Sequence, residues 1–77
     1  MKHILNRFMF VDEVFDTVYG HHWTINMRKG GSVLGMIRFQ AHWNQYVFQP
    51  EDMTEFSADC LDRIRTFLVK INGKEKV

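Results

Sequence analysis

LGMIRFQAHWNQYVFQP, residues 34–50, carries the alternation that decides the fold. Read with period two and begun one residue earlier, Val33, Gly35, Ile37 and Phe39 share one face, and Leu34, Met36, Arg38 and Gln40 the other. The second limb repeats the pattern, with Tyr46 and Phe48 on one side and Gln45, Val47 and Gln49 on the other. Ala41–Asn44 is short enough to return the chain antiparallel. Pro50 has no N–H to give to a ladder, so the second strand stops there. Gly35 falls on the inner face with no side chain, which reads as room for a bulky core neighbour rather than as an approach for a ligand.

Upstream, His22–Arg28 alternates as well. Trp23, Ile25 and Met27 face inward; His22, Thr24, Asn26 and Arg28 face outward. Lys29-Gly30-Gly31-Ser32 joins this strand to the next, because glycine tolerates the positive φ that tight turns demand. Strands over 22–28, 33–40 and 45–49 thus form a meander. Residues 1–20 read two ways. Ile4, Phe8, Val11, Phe15, Val18 and Tyr19 recur at helical spacing. The aromatic and β-branched run Phe8–Val11 favours a strand over about Arg7–Val11 instead, followed by an irregular link to Gly20, since a helix would aim Met9 and Phe10 at water.

Downstream lies one helix. Ser57 is a suitable N-cap, and Phe56 with Leu61 makes a hydrophobic staple. Asp59 and Asp62 sit at the positive end of the dipole and Lys70 at the negative end. Leu61, Ile64, Leu68 and Ile71 form a stripe, widened by Cys60 and Phe67, and Asn72-Gly73 stops it before a short frayed tail, Lys74–Val77. That stripe is expected to lie on Trp23, Ile25, Ile37, Phe39, Tyr46 and Phe48. The predicted fold is α+β: a three- or four-stranded antiparallel β-meander with one C-terminal α-helix packed on one face, residues 1–77 forming a single small domain.

A chain of 77 residues buries only about 60% of its unfolded surface. Its 45% hydrophobic and 14% aromatic content argues against disorder and leaves more apolar surface than one small core hides, so a homo-oligomer is expected. The single cysteine, Cys60, excludes an intramolecular disulfide framework and suits a reducing cytoplasm. No apolar run approaches the ~20 residues that span a bilayer. Asn6, Arg7, Asp12 and Glu13 also arrive too early for a signal-peptide core, so a cytoplasmic chain with no membrane role is expected. The net charge of +1 is unevenly spread: Thr17–Pro50 holds no carboxylate, and Glu51–Asp62 holds five acids and no base.

The segments Leu34-Gly35-x-Ile37-x-Phe39, Trp43-x-x-Tyr46-x-Phe48-x-Pro50 and Cys60-Leu61-x-x-Ile64-x-x-Phe67 together resemble short uncharacterised phage and prophage proteins. The resemblance covers about residues 33–68. It implies a bacterial or phage origin and a β-meander plus helix, with no catalytic residue to carry over. Such proteins often place a basic residue after the tryptophan, where this chain has Asn44.

Candidate chemistry is sparse. His3, His21, His22 and His42 invite a metal, but His21 and His22 are adjacent on a strand and point to opposite faces, so neither a metal nor a cofactor is expected. Cys60 lies near a helix N-terminus, yet its place on the apolar stripe makes it a packed thiol with no base beside it. Glu51, Asp52, Glu55, Asp59 and Asp62 lack the ligand alternation and central glycine of a calcium loop. Gly30-Gly31 lacks the spacing of a phosphate loop.

With no nucleophile–base pair in reach, an enzyme is not expected. The outer sheet face, with His22, Thr24, Asn26, Arg28, Met36, Arg38, Gln40, Gln45, Val47 and Gln49 and with Trp43 at its margin, reads as polar, positive and free of carboxylates. Tryptophan and arginine are interface anchors. The expected function is therefore a non-enzymatic interaction module, in concrete form a phage or prophage accessory regulator or inhibitor acting on a bacterial or phage protein through Arg28, Met36, Arg38 and Trp43. Two alternatives stand beside it: a nucleic-acid-binding domain using the same face, and a small-ligand or nucleotide binder at a subunit interface.

Overall fold

The computed structural model describes residues 2–73. Its elements are β1 (Lys2–Ile4), β2 (Met9–Asp16), β3 (Gly20–Met27), β4 (Val33–Gln40), β5 (Gln45–Pro50) and α1 (Ala58–Gly73). The strands form one antiparallel sheet in the order β1-β2-β3-β4-β5. The α+β class stands, with five strands in place of three or four. The expected tail, Lys74–Val77, lies outside the described residues.

Strand β1 and the lengthened β2 come from the first twenty residues, where side-chain capping decides against both the helix and the irregular link. Asn6 Oδ1 accepts from the N–H groups of Phe8 and Met9, each at 2.9 Å. Asp16 Oδ1 accepts from Val18 N–H at 3.0 Å and Tyr19 N–H at 2.7 Å. Each carboxamide or carboxylate closes a turn that competes with helical hydrogen bonding. The chain reverses at both, and Met9–Asp16 is left to pair along its whole length with Gly20–Met27. Strand β2 therefore starts two residues later than the expected Arg7 and runs five beyond Val11.

The core comprises Met9, Val11, Trp23, Ile25, Ile37, Cys60 and Ile64. Its limits correct three inner-face expectations: Met27, Val33 and Phe39 are 40–47% exposed. For Val33 the cause is a register shift. Ile25 pairs with Gly35 but Asn26 with Val33, so Leu34 is the extra residue of a bulge. Leu34 turns onto the core while Val33 turns away. Gly35 is buried because the Phe48 ring occupies the place of its missing side chain; an ideal Cβ there would lie 2.5 Å from that ring.

Helix α1 crosses the sheet from the β1–β2 turn to the start of β5. At its first turn Ser57 Oγ accepts from Cys60 N–H at 3.1 Å, and Asn6 Nδ2 donates to Asp59 Oδ2 at 2.9 Å. Phe67 meets Trp23 edge-on at 6.0 Å midway. The buried stripe is Cys60, Ile64, Phe67, Leu68 and Ile71; Leu61 is 51% exposed. Phe56 packs edge-on to Phe48 at 5.5 Å, which ties the helix entry to β5.

Helix α1 runs to Gly73, the last described residue, and Asn72 stands in its final turn. Its amide Oδ1 accepts from Tyr46 N–H at 2.7 Å and its Nδ2 donates to Tyr46 C=O at 3.0 Å. Strand β5 is a sheet edge, and the outward groups of Tyr46 would otherwise face a vacant strand position. One side chain thus ties the end of the helix to the edge and caps that edge.

Candidate functional site

The four residues read from the sequence divide between two ends of the sheet. Met36 and Arg38 lie two apart on β4, opposite Gln49 and Val47 of β5. Arg38 Nε donates to Gln49 Oε1 at 3.0 Å, which orients the guanidinium along the outer face. Trp43 stands in the β4–β5 turn, 68% exposed. Its N–H donates to Gln40 C=O and that of Asn44 to Ala41 C=O, each at 3.2 Å. Asn44 closes the turn at φ 52°, a left-handed backbone that asparagine adopts more readily than most residues. Arg28 belongs elsewhere. It follows β3 at the far end of β4, about 25 Å of strand away.

Trp43 borders two surface grooves. One, of about 540 Å³, runs between β5 and the last turns of α1 and is lined by Tyr46, Phe48, Arg65, Leu68 and Val69. The other, of about 500 Å³, lies over the outer face with Arg38, His42, Val47 and Pro50. A third, of about 450 Å³, continues from Arg38 and Gln49 towards Tyr19, Met36, Glu51 and Asp52. The indole therefore sits on the ridge between the helix side and the outer side of β5.

The outer face departs from expectation in two respects. It is not uniformly wet: His22 and Asn26 are buried. Tyr19, swung round by the Asp16 turn, lies edge-on to His22 with centroids 5.6 Å apart. Asn26 Oδ1 accepts from Thr24 Oγ1 at 2.8 Å, and Asn26 Nδ2 donates to Gly31 C=O at 3.3 Å. Nor is the face free of carboxylates. Glu51 and Asp52 line its groove, and β2 brings Asp12 opposite Thr24 and Asp16 opposite Gly20.

The Asp16 turn also sets the charge of its own carboxyl. The Tyr19 N–H, followed by further turn amides and His22, holds its carboxyl below the usual carboxylate range, against a smaller opposing effect of desolvation. His22 Nδ1 donates to Gly20 C=O at 3.1 Å, leaving Nε2 3.9 Å from Asp16 Oδ2. His21 points to the other face, 2.7 Å from Glu13 and stacked on Phe15 at 4.2 Å. Among the described residues no three metal-ligating side chains converge, and no helix is long and apolar enough to cross a membrane. Cys60 is buried, its Sγ accepting from Asn6 Nδ2 at 3.7 Å.

Sequence reasoning missed Tyr19 and Asn72. The spacing Asp16-x-Val18-Tyr19 before Gly20 was a signal for the first, as a turn formed by an aspartate side chain. The second had none, because its partner is 26 residues away. Compared with family models, curated proteins and solved structures, the chain matches none.

Proposed function

We propose that the chain is a non-enzymatic interaction module that docks a protein through Trp43 and the outer side of β4–β5. The observation that carries this reading is the position of Trp43: a large ring, mostly in solvent, held by turn hydrogen bonds between two grooves. A tryptophan so placed gains more from a partner than any other side chain of the surface, because its apolar area is large and its rotamer cost small. Arg38, aligned by Gln49, and Met36 extend the contact along β4. Glu51 and Asp52 beside them weigh against nucleic acid on this face. The same surface supports self-association, and the phage-like segments favour a bacterial or phage protein as the further partner, with regulation or inhibition as the outcome.

Sedimentation velocity over a concentration series tests the self-association, and photo-cross-linking from residue 43 in a bacterial lysate, read by mass spectrometry, identifies the partner. Trp43→Ala is expected to leave the circular dichroism unchanged, lower the association state and remove the cross-linked species. A wild-type chain that sediments as a monomer throughout, with the same neighbours in lysate as Trp43→Ala, sinks the proposal.

A further inference from the structure

The corner of the sheet diagonally away from Trp43 brings together residues that are scattered in the sequence. Strand β1 places Lys2 Nζ 5.1 Å from the centroid of the Phe10 ring. In the β1–β2 turn the Arg7 guanidinium lies 5.8 Å from the centroid of Phe8. Arg28 N–H donates to Phe8 C=O at 2.8 Å, so Phe8 and Arg28 extend the β2–β3 ladder as a cross-strand pair. The Arg28 guanidinium reaches the carbonyl of Asn6 at 3.4 Å, and Lys29 follows in the adjoining turn. Phe8 and Phe10, two apart, share the outer face with Arg28. Phe8 is 55% exposed and Ile4, beside Phe10 in the β1 ladder, 62%.

Within the described residues no ion pair joins Arg7, Arg28 or Lys29 to a carboxylate. Asp12, opposite Lys2, puts a carboxylate on the same face. The pattern is four cations interleaved with two rings. Cations alone fit any anion. A ring lying open beside cations, as Phe8 does, fits an anion that carries flat faces at the spacing of its charges, which is a single-stranded nucleic acid: phosphates pair with the guanidiniums and ammoniums, and a base stacks on the ring.

We infer that this corner binds single-stranded nucleic acid, with Phe8 as the stacking residue and Lys2, Arg7, Arg28 and Lys29 as the phosphate contacts. The surface is separate from the Trp43 ridge, so the two proposals stand or fall independently. Duplexes are poor ligands, because their bases are already stacked and cannot reach Phe8.

Fluorescence anisotropy with a labelled oligothymidylate tests the inference, with oligouridylate, a DNA duplex and a polyglutamate peptide as comparison ligands. Four phosphate contacts give a slope of log K against log salt of about −3 for a single strand, and Arg28→Ala reduces it by about 0.7. Phe8→Ala, at an exposed position, weakens binding by about 5- to 100-fold with the slope unchanged, and Phe8→Tyr restores it. Preference between the DNA and RNA strands identifies the natural ligand, and either result supports the site. No binding at low salt, equal affinity of wild type and Phe8→Ala, or polyglutamate bound as tightly as the oligonucleotide overturns it; the last outcome makes the corner a surface for an acidic protein.

Discussion

At Gly35 the packing leaves no room for a single methyl group. A Cβ would meet the Phe48 ring at 2.5 and 2.7 Å and the Gln49 carbonyl oxygen at 2.8 Å, and the last of these is backbone held in the β4–β5 ladder. Gly35→Ala is therefore expected to cost about 1–3 kcal/mol through overpacking, read as a fall in the urea midpoint with little change in slope. Asp16 offers a test by pH. Its folded-state pKa is depressed, so its contribution is complete above the unfolded value of about 3.9 and is lost as the pH falls through the folded value. Asp16→Asn keeps an oxygen for the Val18 and Tyr19 N–H groups but cannot titrate. Its melting temperature should fall less than that of the wild type on acidification below pH ~4, and equal acid sensitivity of the two would refute the assignment.

Among the elements, β5 owes the state of its free edge to the helix. Its pairs Met36–Gln49 and Arg38–Val47 turn toward β4, which leaves the N–H and C=O of Tyr46 and Phe48 pointing outward. Asn72 takes both groups of Tyr46, and Pro50 has no N–H to offer. Among the described residues only Phe48 keeps an unshielded outward pair, too little to seed a sixth strand. Asn72→Ala should lose about 1–3 kcal/mol with its two hydrogen bonds, and should convert the edge into one that accepts another strand. Chemical denaturation measures the first effect. Size-exclusion chromatography, together with loss of Tyr46 amide protection in hydrogen exchange, reports the second. An Asn72→Ala chain with wild-type stability and unchanged Tyr46 exchange would show that the contact holds nothing.

For the molecule as a whole, the helix covers the middle of one sheet face and leaves the ends open. Phe15 is 72% exposed at one end, Leu61 is more than half exposed in the first turn of α1, and Val69 is more than half exposed beside β5. A chain of this size has little stability in reserve, so association through Trp43 should raise its melting temperature with protein concentration by mass action. Trp43→Ala should abolish that dependence while leaving the dilute-limit value in place. A melting temperature independent of concentration in the wild type would count against association through this ridge.

The strands from His22 to Pro50, the Ser57 cap and the burial of Cys60 and Ile64 were legible in the chain, because alternation and capping are local and are written within a few residues of where they act. The residues expected on the outer face were legible only as a set; that Arg28 sits a strand length from Trp43 follows from the path of β4. Three features were decided by tertiary structure alone. Strand β1 exists only as a partner of β2, the bulge at Leu34 depends on the register with β3, and the Asn72 clamp joins groups 26 residues apart. Each is a contact whose free energy is realised only when distant segments meet, and no period in the sequence encodes such a meeting. The basic, aromatic corner has the same origin: Phe8 and Arg28 become neighbours through one cross-strand hydrogen bond.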